Sequence, residues 1–157
     1  MWQRRRILLS SLAAGMVGAA AFAHFQVLLP SDDGIGPDDP PAVALDILFT
    51  HPMAQGPVMA MGKPKRFGVL VNGQRHDLLT TLHRQLVDGA AAFAAEFKVT
   101  DPGDHVFYLE PAPYWEPVER KMIIHYTKVV VDVLGGGNGW DARVEFPVEI
   151  EPLVRPY

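Results

Sequence analysis

The chain has 157 residues, no cysteine, and 14 Lys and Arg against 18 Asp and Glu, a formal net charge of -4 at pH 7. That length supports one domain of ordinary size. The missing thiols exclude disulfide scaffolds, thiolate metal sites and Cys nucleophiles, and the acidic balance argues against a nucleic-acid partner and for cations or basic partners.

The chain opens on a basic cluster, Arg4-Arg5-Arg6, followed by an Ala- and Gly-rich apolar run that ends in Ala21-Phe22-Ala23, an A-x-A cleavage signal. Residues 1–23 therefore read as a secretory signal peptide and 24–157 as a single β-domain delivered to the periplasm. The run is shorter than the roughly 20 strongly apolar residues of a spanning helix; retention as an N-terminal anchor is the alternative. The letters Arg4-Arg5-Arg6-Ile7-Leu8 fit either general secretion or a twin-arginine route. Removal of the three arginines leaves 11 basic against 18 acidic side chains, a formal charge of -7, and makes His24 the first residue.

Beyond residue 23, Pro and Gly punctuate short apolar runs about every ten residues, the pattern of an antiparallel sandwich or barrel. Phe25 to Leu29 is a strand stopped by Pro30, and Ser31 to Pro41 an acidic loop. Val43, Leu45, Ile47 and Phe49 alternate as one buried face, which His51 continues at the strand's end. Residues 52–66 read as a loop carrying Met53, Met59 and Met61. Phe67 to Val71 turns back at Asn72-Gly73, a two-residue hairpin signal. Ala91 to Val99 and His105 to Leu109 are strands joined by the turn Asp101-Pro102-Gly103-Asp104. Met122 to Leu134 reads as one long strand with His125 on its apolar face, Gly135 to Gly139 as a flexible loop, and Ala142 to Glu151 as a returning strand. About seven strands with these turns predict an all-β, immunoglobulin-like antiparallel sandwich.

Six histidines supply the candidate chemistry. Cleavage would give His24 a free α-amine beside its imidazole, and an amine with a reference pKa of about 7.7 to 8.0 can lose its proton to a metal. His51 and His125 lie where an apolar face reaches a strand end; if both ends share a pole with residue 24, three imidazoles and one amine converge, a set suited to Ni2+, Co2+ or Cu2+. Each alone also reads as a hydrogen-bonded core histidine. His105 occupies the Tyr position of a tyrosine corner, a structural role, and His76 and His83 read as surface residues. The three loop methionines are soft donors that suit Cu(I), or else packing. Tyr114, Trp115, Tyr126 and Trp140 read as aromatic core or rim, or as a binding face. Sequence signatures of hydrolases, zinc proteases and nucleotide binders are missing, so the chain reads as a non-enzyme.

Taken in order, His24-Phe25, Thr50-His51-Pro52-Met53, Asp101-Pro102-Gly103-Asp104, Glu110-Pro111-Ala112-Pro113-Tyr114-Trp115, His125-Tyr126-Thr127-Lys128, Gly139-Trp140-Asp141 and Glu149-Ile150-Glu151-Pro152-Leu153 resemble a bacterial family of exported domains of unknown function associated with nickel and cobalt uptake. The resemblance covers nearly all of 24–157. It implies a periplasmic accessory protein that captures Ni2+ or Co2+ and assists its delivery to a membrane metal permease. Members of that family typically continue past the Pro-Leu-x-Arg-Pro-Tyr segment into a second small β-domain, so this chain is expected to be a truncated form. Two rival expectations stand beside the carrier: a histidine-brace copper protein or monooxygenase, and a non-metal envelope interaction module whose histidines are all structural.

Overall fold

A computed structural model describes residues 24–157; the predicted signal peptide, residues 1–23, lies outside the described residues. In chain order the strands are β1 (Phe25–Pro30), β2 (Gly34–Ile35), β3 (Ala42–Thr50), β4 (Arg66–Val71), β5 (Gln74–Asp77), β6 (His83–Val87), β7 (Ala90–Lys98), β8 (Gly103–Glu110), β9 (Tyr114–Glu116), β10 (Lys121–Ile123) and β11 (Thr127–Val133). One sheet has the order β1-β3-β7-β6, the other β2-β11-β8-β4-β5, and β9 and β10 form a separate hairpin. Among the described strands, the seven with five residues or more divide as the ABED and GFC sheets of an immunoglobulin sandwich, as the sequence predicts.

Alternation builds the core. Val43, Leu45 and Ile47 of β3 point inward against Phe67 and Val69 of β4, Phe107 and Leu109 of β8, and Val131 and Val133 of β11. The Asn72-Gly73 turn has positive φ at both central residues, the geometry of a tight hairpin. His105 is fully buried against Phe97 and Phe107, and its Nδ1 lies 3.0 Å from the Gly103 carbonyl, the local tie expected of a corner residue. The Asp101-Pro102-Gly103-Asp104 turn joins strands of different sheets, so it carries the chain across the sandwich.

Three expectations need correction. Met122 to Leu134 is not one strand: Met122 pairs with Trp115 in the β9–β10 hairpin, residues 124–126 carry no strand, and β11 starts at Thr127. His125 thus sits in a break, where the chain leaves the hairpin for the sheet. The acidic loop 31–41 contains β2, which pairs in parallel with Asp132 and Val133.

The third correction concerns Ala142 to Glu151, which forms no strand. Its Val144 and Phe146 are nevertheless buried, packing on Leu70, Val106 and Tyr108 as a second apolar cluster on the outer face of the sheet. The physical reason is Glu149. Its carboxylate accepts the Val144 N–H at 3.0 Å, the Phe146 N–H at 2.8 Å and the Lys128 ammonium at 2.9 Å. Backbone donors that a strand would give to a ladder go instead to one buried side chain.

Burial would raise the Glu149 pKa, but the Lys128 and backbone hydrogen bonds outweigh it and hold the carboxyl down at about 2. A folded-state pKa below the ordinary value of 4.5 adds stability that is complete above that value and lost as pH falls toward 2. Replacing Glu149 with Ala strands Lys128 and two amides, and the expected loss is about 3 kcal/mol or more in urea unfolding at neutral pH. The loss should shrink steadily as the titration is repeated below pH 4.5. A variant with an unchanged urea midpoint would refute this account of the segment.

Candidate metal centre

The register of the first two long strands places the site. Phe25 of β1 faces Thr50 of β3, so the residues just outside the ladder, His24 and His51, meet at one pole. Their rings lie 4.1 Å apart, centroid to centroid, tilted by 41°. The His24 ring also stacks on Phe49 at 5.5 Å and meets Tyr114 edge-on at 5.9 Å.

Sequence reasoning missed a fourth participant. Glu116 of β9 is only 6 % exposed, and its Oε2 lies 2.9 Å from Nδ1 of His24. Its other oxygen accepts the Val118 N–H at 3.2 Å. That backbone hydrogen bond, then the contact with His24 and the nearby His51 charge, lower the Glu116 pKa against the opposing effect of burial. Tyr114, two residues earlier on the same side of β9, donates its hydroxyl to the His24 carbonyl at 3.4 Å. The contact between residues 24 and 116 spans 92 positions, so no local spacing announces it. The one available signal is the Tyr114-Trp115-Glu116 alternation, which puts an acid and a tyrosine on one face.

His125 reaches the same pole from the break just before β11. Its ring stacks on Phe25 at 5.4 Å and touches Tyr114 edge-on at 5.7 Å, so Tyr114 contacts both His24 and His125. Its Nδ1 is buried without a hydrogen-bond partner. The structure thus brings all three predicted histidines to one end, with His24, His51 and Glu116 as a contiguous group and His125 joined to it through Tyr114. Among the described residues, no three His, Asp or Glu side chains converge tightly enough to hold an ion as they stand. The other candidates lie elsewhere. His76 and His83 are exposed, His105 is in the core, Met53 is 92 % exposed, and Met61 lines a cavity behind the site.

The donor set is two imidazoles and a carboxylate, with a phenol at the rim. Nitrogen and oxygen donors of this kind take borderline divalent transition metals, and hard ions such as Mg2+ prefer all-oxygen cages. A family model described as "Domain of unknown function (DUF4198)" matches residues 21–157. No curated protein and no solved structure matches the chain.

Burial, and after it the charge of His24, lower the His125 pKa below its ordinary value of 6.5. Its neutral form is therefore favoured by folding, and the associated stability is complete above 6.5 and lost as acid protonates the ring. An NMR titration of the histidine rings should find His125 titrating below 6.5 and moving upward in His24→Ala. A His125 midpoint indifferent to His24 would show that the two rings are not electrostatically coupled.

Proposed function

We propose that this chain, which belongs to the DUF4198 family, captures Ni2+ or Co2+ in the periplasm and hands it to a membrane metal permease. The observation that carries the reading is the pairing of His24 with His51 at 4.1 Å beside the Glu116 carboxylate. Cleavage after Ala23 would turn the His24 nitrogen from an amide into an amine. The amine and Nδ1 of one histidine close a six-membered chelate ring around an ion, which Nε2 cannot do. Nδ1 is the nitrogen that faces Glu116, so the carboxylate holds the ring in place before loading and supplies negative charge once a cation arrives. His51 completes a nitrogen-rich set at the strand end opposite, and His125 is the third imidazole of the same pole.

A chelate at a chain terminus suits a carrier. Its ligands sit on the residue just before an edge strand and on the residue just after a strand, where few backbone bonds must break for the ion to leave. The site residues offer no nucleophile–base pair, which favours capture over hydrolysis.

The same His24 and His51 pairing favours a second reading, a histidine brace in a copper protein or monooxygenase. Cu2+ outcompetes Ni2+ and Co2+ at most nitrogen sites, so availability and geometry decide between them. Spectra of the Cu2+ form, joined to reductant-dependent oxidation of a substrate, would mark an enzyme; a copper form that oxidises nothing would leave the carrier.

Calorimetry on the exported, processed protein should give 1:1 binding of Ni2+ or Co2+. One extra residue before His24, or His51→Ala, should weaken it at least tenfold, about 1.4 kcal/mol. Equal affinity in the extended form would remove the terminal amine from the site and with it this reading.

A further inference from the structure

The β9–β10 hairpin has two unlike faces. Its inner face carries Tyr114 and Glu116, which hold His24: the Tyr114 hydroxyl donates to the His24 carbonyl at 3.4 Å, and the buried Glu116 carboxylate meets the His24 ring at 2.9 Å. The outer face is apolar and open to water. Trp115, between those two residues, is 56 % exposed, and Met122, its partner across the ladder, is 59 % exposed. Side chains paired directly across an antiparallel ladder are neighbours, so these two form one patch. Val118 in the turn is 90 % exposed, and Ile124, two residues beyond Met122, is exposed as well. Large apolar side chains bared together on one short hairpin mark a docking surface.

Two further observations set what docks there. Arg120 and Lys121 are both exposed and follow Val118 directly. Glu119 stands 3.9 Å from the Lys121 ammonium, but both side chains are largely in water, where such a pair contributes little. The hairpin thus sets basic charge among its apolar groups, on a chain that is acidic overall from residue 24 onward. An anionic surface repels the acidic body and attracts the basic hairpin, which orients the approach. The second observation is where the chain enters the fold. From Ile7 to Ala23 the sequence has no charged residue, and it joins His24, the residue this hairpin grips. A segment of that composition engages lipid during export, so the hairpin stands beside the point where chain and bilayer meet.

We propose that the outer face of the β9–β10 hairpin docks on an anionic phospholipid bilayer, with Trp115, Val118 and Met122 in the interfacial layer and Arg120 and Lys121 against lipid phosphates. Tryptophan suits that depth because its ring is apolar and its N–H polar. Each basic side chain near an anionic leaflet contributes about fivefold in affinity, and burial of the apolar groups supplies the rest. The consequence is positional. The hairpin is one strand layer thick, so His24, on its inner face, is held about 10 Å from the headgroups. Docking needs no metal and does not rest on the carrier reading.

The exported, processed protein, which begins at His24, has Trp115 and Trp140 as its tryptophans, so Trp140→Phe leaves Trp115 as the sole reporter. With vesicles of phosphatidylethanolamine and phosphatidylglycerol, its emission should shift to the blue and be quenched by brominated acyl chains. The unaltered processed protein should float with the same vesicles. Val118→Asp, at an exposed turn position, should melt like the parent and bind vesicles at least tenfold more weakly. Lys121→Gln should weaken binding about fivefold, a difference that high salt or pure phosphatidylcholine removes. Absence of flotation, or undiminished affinity in Val118→Asp, would overturn the proposal. A dimer in ultracentrifugation that Val118→Asp abolishes would overturn it too, giving the face to a second copy of the chain. Flotation should be the same with and without Ni2+; failure of Ni2+ binding with flotation intact would sink the carrier reading alone.

Discussion

The chemistry at this pole depends on the register between β1 and β3. Gln26 and Leu28 point inward and Phe25 and Leu29 outward, a pattern fixed by the pairing of Phe25 with Thr50 through Pro30 with Leu45. A slip of one residue would turn Leu28 to solvent and Leu29 into the core, and would also move His24 off His51. The apolar core thus selects the alignment that makes the histidines neighbours. Thr127 adds a second tie, its hydroxyl donating to the Gln26 carbonyl at 3.3 Å and binding β1 to the first residue of β11. That tie fixes how close the His125 segment comes to β1.

Tyr114 and the β9–β10 hairpin then divide the pole by polarity. On the side of His24 stand a carboxylate and a second imidazole; on the side of Met61 stand prolines, a thioether and the His125 ring. Tyr114 touches both His24 and His125 and is itself packed edge-on against Phe49 at 4.7 Å. Burial, followed by the negative charge of Glu116, raises the pKa of its phenol. It stays a neutral hydrogen-bond donor, compatible with both surroundings.

Much of the sandwich was legible in the sequence because its signals are local. Period-two burial in Val43, Leu45 and Ile47 and the Asn72-Gly73 turn each declare themselves within a few residues. The corner at Asp101 to His105 was legible for the same reason. What was not legible depends on contacts across the chain. Apolar alternation at Val144 and Phe146 looked like a strand, yet a carboxylate three residues later takes the backbone donors. The apolar stretch from Met122 hides its break because the competing partner, Trp115, lies on the hairpin's other arm. His24, His51 and His125 were singled out as candidates from chemistry and strand ends, and their rings lie at one pole. Glu116 was not found, since its role exists only through a residue at the opposite end of the sequence.

The sheet borders carry a consequence for how copies of the chain meet. Each outermost strand is blunted: β1 ends in a proline, β2 is two residues long, β5 shows only Gln74, Arg75, His76 and Asp77 to water, and β6 begins His83-Arg84-Gln85. Such margins offer a second copy no long, flat, apolar row of unpaired amides on which to stack. A sandwich edged in this way is a poor template for strand-to-strand stacking, a safeguard set by where its strands stop.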